Sequence, residues 1–221
     1  MPQLPNVLIR MTHLTAILAS ILTAIGVSDD WHSLSFRSIP PIQSKVQKDK
    51  ITLKVDASAG GLVRRLPAGT RVKRFIVTGS VTGQLKVDEK RLWEKGNEDA
   101  YLRVGLIAEG GHPLTMLERL VAPAWICTLD DVLCADGRAP SAIRNHLLVP
   151  HAAWIGKQRA NPNMKQLVDH MVATPGADGR FTMTVNLPQS MNVLGLWLMA
   201  DGDDSGSKFE VVIDSIQLES P

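Results

Sequence analysis

Near the end of the chain, carboxylates crowd into Asp201-Gly202-Asp203-Asp204-Ser205-Gly206-Ser207. Asp201, Asp203 and Asp204, with serine hydroxyls beside them, are hard oxygen donors of the kind calcium takes. The EF-hand spacing is missing, because its closing glutamate and helix do not follow. The same residues suit a Gly-rich connection held by Asp and Ser turn bonds, and both readings stay open. Cys127 and Cys134 stand seven apart in CTLDDVLC, too far for a C-x-x-C redox or zinc motif. In an oxidising compartment a disulfide closing that short loop is expected, worth about 2–3 kcal/mol through loop closure. Two separate thiols in a core are the alternative.

Two tryptophans, Trp93 and Trp154, have polar, loop-like neighbours and offer platforms for sugar stacking or anchors for a protein partner, with packing as the competing role. Trp31, Trp125 and Trp197 have apolar neighbours and read as core. Between Gly60 and Lys95 there are nine basic residues against three acids, with Arg64, Arg65, Arg71 and Arg74 at the head of the run. From Leu196 onward the balance reverses to six acids and one base. A basic edge of this kind suits anionic headgroups or an acidic partner; the alternative is the charged solvent face of strands.

Catalytic signatures do not emerge. The six histidines form no H-E-x-x-H and no H-x-H, and G-x-S-x-G does not occur. A carboxylate pair for glycoside cleavage would come from distant positions, and the sequence nominates none.

The elements that must position these residues are short strands. Lys50–Val55 alternates polar and apolar, the period of a half-buried strand. Leu62–Leu66, Phe75–Val81, Tyr101–Ala108, Phe181–Val185, Val193–Ala200 and Phe209–Leu218 follow, rich in β-branched and aromatic residues and punctuated by Gly and Pro. Helices are expected only over Pro113–Leu120, Met164–Met171 and an N-terminal segment. The pattern predicts a mainly β, antiparallel, jelly-roll-like sandwich over 44–221, an extended lead-in over 29–43 and a hydrophobic helix within 1–28.

That helix is Val7–Val27, cationic at Arg10 and His13, then free of charge from Leu14 to Val27. As a helix of 21 residues it would reach about 32 Å, enough to span hydrocarbon as a signal anchor. Ala24 and Gly26 also fit the −3 and −1 positions of a cleaved signal peptide. Both readings export the body, either tethered to the inner membrane with the body in the periplasm or secreted.

Trp31-His32-Ser33-Leu34-Ser35-Phe36, Ile39-Pro40-Pro41 and Asp56-Ala57-Ser58-Ala59-Gly60-Gly61-Leu62-Val63-Arg64-Arg65-Leu66 together resemble the opening of the bacterial DUF3047 family. Gly96-Asn97-Glu98-Asp99-Ala100-Tyr101-Leu102-Arg103-Val104 and the acidic ending before Ile213-Asp214-Ser215-Ile216 resemble its later motifs. The resemblance spans most of residues 30–219 and implies an exported sandwich, similar at its end to jelly-roll carbohydrate-binding modules, with no assigned reaction. Where members carry a Trp-rich strand, this chain has Phe75-Ile76-Val77-Thr78-Gly79.

The chain is 221 residues with 44% hydrophobic residues and a formal charge of +2, which excludes a disordered or polytopic membrane protein. Nucleic acid is excluded as a partner for an exported protein of this balance. The expectation is a non-catalytic, membrane-tethered β-sandwich that binds a macromolecule, as an accessory subunit of a membrane complex or envelope protein. A carbohydrate-binding module with a glycan as partner is the alternative, and an envelope hydrolase ranks last. No cofactor other than calcium is expected.

Overall fold

Alternation builds most of the molecule. In the strand Ile51–Asp56 (β4), Ile51, Leu53 and Val55 are buried while Lys54 and Asp56 face water. In Lys208–Glu219 (β12) the buried set runs Phe209, Val211, Ile213 and then Ile216, Leu218. The parity changes because the register slips between Ile213 and Ser215, a bulge that returns the later apolar residues to the core side. The computed structural model describes residues 22–24, 30–162 and 164–221.

The remaining strands are Leu22–Ala24 (β1), His32–Leu34 (β2), Gln43–Val46 (β3), Ala59–Arg65 (β5), Arg71–Gln84 (β6), Ala100–Glu109 (β7), Pro140–Leu148 (β8), Gln158–Ala160 (β9), Leu167–Ala173 (β10) and Arg180–Asp201 (β11). One sheet runs β3-β4-β12-β6-β11, with β1 against β12. The other runs β2-β5-β11-β7-β8-β10-β9. β11 serves both: Arg180–Asn192 pairs with β6, and the residues from Val193 to Asp201 lie between β5 and β7. The sheets face each other across one apolar cluster containing Phe75, Val77, Leu102, Val104, Leu148 and Met183. A mainly β sandwich is therefore observed, antiparallel except where β10 runs parallel to β8.

One helix covers the outer side of the second sheet, Ala124–Leu133 (α2), and a shorter one, Met116–Val121 (α1), precedes it. α2, not anticipated from the sequence, places Leu129 and Leu133 on Val63, Ile107, Ile143 and Trp197. α1 overlaps the helix expected over Pro113–Leu120, starting later and ending at Val121. The helix expected over Met164–Met171 is instead a turn entering β10, where Asp169 and Met171 are buried and cross-strand pairing overrides the helical spacing. Gly-flanked Phe181–Val185 and Val193–Ala200 are halves of one strand.

The expected lead-in over 29–43 belongs to the sandwich, since β2 pairs with β5 and Trp31 is buried. The hydrophobic helix expected within 1–28 lies outside the described residues, except that Leu22–Ala24 form a strand along Gln217–Glu219. No helix among the described residues is long and apolar enough to cross a membrane. Cys127 and Cys134 are free thiols, which corrects the expected disulfide. Cys127 sits on α2 and Cys134 caps its C-terminus, and seven helical residues advance about 10 Å along the axis, beyond the reach of a bridge. Burial and Asp130 push the Cys134 thiol up to about 12.

Candidate functional site

The acidic loop closes one end of the sandwich. Because Asp201 pairs with Ala100, the end of β11 lies beside the start of β7, and Asp99 joins the loop. A side chain at Gly202 would meet Val55 Cγ1 at 2.8 Å and Phe209 Cε1 at 3.0 Å, so only glycine lets the chain turn against the core there. Asp99 Oδ2 accepts from the Ser205 backbone N–H at 2.8 Å and from its hydroxyl at 2.5 Å. Arg103 donates to Asp201 and, through Nη2, to the Glu98 carbonyl at 2.6 Å. Ligand oxygens of Asp99, Asp201 and Asp203 lie within 4.8 Å of one another.

This corrects the expected set of Asp201, Asp203 and Asp204: Asp204 is exposed and stands outside the group, while Asp99 enters from a distant strand. Burial and the neighbouring Asp203 push the Asp201 carboxyl up to about 6, although Arg103 pulls the other way. Burial and Asp201 likewise raise Asp99, against the Ser205 hydrogen bonds. Three carboxylates facing one guanidinium leave negative charge that a hard cation would relieve.

Neither tryptophan platform is open. Trp154 is 3% exposed, with its indole N–H donating to the Glu89 carbonyl at 2.9 Å. Trp93 is half-buried at φ 69°, and the Arg159 guanidinium covers its ring at 4.4 Å. Nor do the four arginines make one basic edge. Arg64 pairs with Asp30 and Arg65 with Asp136 on the second sheet. Arg74 pairs with Glu219 at 2.9 Å on the first sheet, and Arg71 donates to the Ser190 hydroxyl at 2.6 Å. Each charge is engaged within the chain, as the solvent faces of strands usually are.

Sequence reasoning missed a groove on the inner side of the β8-β10-β9 edge. Arg144 lies opposite Val168, His146 opposite His170, and His170 opposite Gln158, so these side chains share one face of the sheet. The opposite wall is the bulge of β11 from Asn186 to Met191, between its two stretches of pairing with β6. Arg71 and Lys73 hold that wall; the Lys73 ammonium donates to the Pro188 carbonyl at 2.8 Å. The groove measures about 390 Å³. His146 packs edge-on to Phe75 at 4.9 Å and lies 6.0 Å from the His170 ring. Burial, with His170 adding to it, lowers His146 to about 4, so its imidazole is neutral at physiological pH. The sequence signal was a histidine at the matching place in each of two strands, invisible until their parallel pairing is known.

No family model matches the chain, and no curated protein matches it. Among solved structures it is similar to a xylan-binding module, CBM15, at 10% identity and a TM-score of 0.40, over 91% of this chain and 97% of that one. It is similar to PfGH50B at 10% identity and a TM-score of 0.32, over 88% of this chain but only 22% of that one. A third likeness is to the second N-terminal cellulose-binding domain of the Cellulomonas fimi β-1,4-glucanase C, at 12% identity and a TM-score of 0.28, over 92% and 99%. Likenesses this remote say nothing of what this chain binds.

Proposed function

We propose that the protein is a non-catalytic binding β-sandwich that takes a neutral glycan in the groove between β8, β10, β9 and the bulged segment of β11. One observation carries this reading: a groove of about 390 Å³, within the range of ligand sites, lined by hydrogen-bonding amides and imidazoles with Arg144 beside them. Gln158, Asn186 and Gln189 offer amides, and His146 a neutral imidazole, matched to hydroxyls that both donate and accept. Leu187, Pro188 and Met191 supply apolar surface for the C–H faces of a sugar ring. Binding is favoured over cleavage because no carboxylate stands among the described lining residues to act as acid or nucleophile.

Titration calorimetry with a panel of neutral soluble polysaccharides tests this. Asn186→Ala and His170→Ala are expected to weaken the bound glycan about tenfold each, the loss of one hydrogen bond to the ligand. Silence across the panel, or affinity untouched by both variants, removes the groove as the site.

Calcium is proposed as a structural ion at Asp99, Asp201 and Asp203, supported by the convergence of their oxygens. Export belongs to the same proposal and is supported by the uncharged run that starts at Leu14; any tether would lie ahead of Leu22 rather than extend over residues 7–27, because Leu22–Ala24 pair with β12. Separating membrane and soluble envelope fractions tests it. A role as subunit of a membrane complex has only that run behind it. Kinship with the DUF3047 family stands likewise as a proposal, supported by the short motifs of residues 30–219.

A further inference from the structure

The groove between the sheets carries one charge that the fold does not use. Arg144 stands in β8 between Leu106 of β7 and Val168 of β10, on the face that His146 and His170 present to the groove. It is exposed, and among the described residues no hydrogen bond or ion pair holds its guanidinium. Charges on sheets commonly guard free edges, but β8 is paired on both sides. A position beside the fully buried Leu106 and the half-buried Val168 suits an apolar, β-branched residue. Neither edge protection nor packing accounts for an arginine there.

The charge around it is of one sign. No Asp or Glu is found among the described residues that line the groove. Asp169, next to Val168, points to the other face of the sheet and accepts from Asn145 Nδ2 at 2.9 Å. On the opposite wall Arg71 and Lys73 hold the β11 bulge through neutral acceptors, the Ser190 hydroxyl and the Pro188 carbonyl, and so keep their charge. Cations on both sides of one cleft add their potentials and draw an anion into it.

We propose that the glycan in this groove bears an acidic substituent, a carboxylate or a sulfate ester, and that Arg144 is the residue that takes it. The proposal rests on the reading of the groove as a glycan site: amides and imidazoles hold the neutral backbone, and the guanidinium reads the decoration. An arginine fork offers parallel N–H donors to two oxygens of one group, a geometry that carboxylate and sulfate share and a lone hydroxyl lacks.

Titration calorimetry tests this with each polysaccharide of the neutral panel beside its own partly oxidised form, which carries uronates, and its partly sulfated form. At least one acidic form is expected to bind about tenfold tighter than its parent, or to bind where the parent is silent. Arg144→Gln is expected to bring that ratio to about one, and Arg144→Lys to keep part of it. Both variants should melt as the wild type does, since the residue is exposed. Lys54→Gln removes an exposed charge from the first sheet and is expected to leave the ratio intact, which separates Arg144 from general attraction. A gain with uronate alone assigns a carboxylate, with sulfate alone a sulfate ester, and with both the charge as such. Parents bound with no gain in any acidic form overturn this proposal and spare the groove. So does a gain that Arg144→Gln leaves in place or that Lys54→Gln equally abolishes. Silence of every parent and every acidic form overturns both.

Discussion

The groove between the sheets and an apolar cavity beside α2 lie on the two faces of the same two strands. Arg144, His146, Val168 and His170 look into the groove, while Ile143 and Leu167, one position earlier, line the cavity with Ile126 and Leu129 of α2. One face presents imidazole, amide and guanidinium to a space between the sheets; the other presents aliphatic surface to the outside. A period of two separates a hydrogen-bonding surface from a greasy one at no cost in chain length. The comparison teaches that β8 and β10 are neither core nor surface strands, since each face is specified for a different neighbour.

The largest effect is expected from removing what holds the apolar face. Leu133 is fully buried between α2 and the sheet, and Leu133→Ala is expected to cost about 3 kcal/mol in urea denaturation. Glycan affinity should persist below the unfolding transition, because the groove lies across the sheet. Loss of both together in the folded protein would show the two faces to be one unit.

Next in size is a pH effect that separates the groove from the acidic end. His146 is lowered from 6.5 to about 4 in the fold, so the unfolded chain binds its proton first and stability falls as pH drops from about 6.5 to 4. The full loss is about 3 kcal/mol, and His146→Gln is expected to remove it. Asp201 acts with the opposite sign. Raised from 3.8 to about 6, it binds its proton more readily in the fold and adds stability as pH falls through that window. Asp201→Asn should therefore steepen the acid loss that His146→Gln abolishes, measured by thermal melts from pH 7 to 4.

The same titration governs the proposed cation. Calcium is expected to raise the melting temperature by a few degrees at pH 7.5 and less at pH 5, where Asp201 holds its proton. Indifference to both calcium and EDTA at pH 7.5 discards the ion. The smallest effect is expected at the groove's far wall. Arg71→Ala frees the Ser190 hydroxyl from an exposed hydrogen bond, lowering glycan affinity a few-fold with stability changed by less than about 1 kcal/mol.

What the sequence made legible was local. The alternation in Ile51–Val55 and the β-branched runs of β6, β7 and β12 located the sandwich, because one buried face leaves its period in the chain. α2 also left a mark, with Trp125, Leu129 and Val132 spaced along one helical face, but the pair of cysteines drew that stretch toward a loop. What was not legible came from pairing. Asp99 reaches Asp201 only because Ala100 lies beside it in the sheet, and no spacing within the acidic loop announces a donor so far away. Trp154 looked exposed by its neighbours, yet its ring fills a gap and its indole finds the Glu89 carbonyl. The groove depends on a parallel pair, which periodicity within either strand cannot reveal.

The passage of β11 from one sheet to the other has a mechanical meaning. A sandwich of separate sheets can part along its middle, with only side-chain contacts resisting. Here the backbone itself crosses the gap, paired to β6 before the crossing and to β5 and β7 after it. Load applied to the first sheet is carried by covalent bonds through Asn192 and Val193 into the second. The groove's wall stands just ahead of that tie: a ligand pressed against the bulge at Asn186–Met191 bears on the strand that joins both sheets.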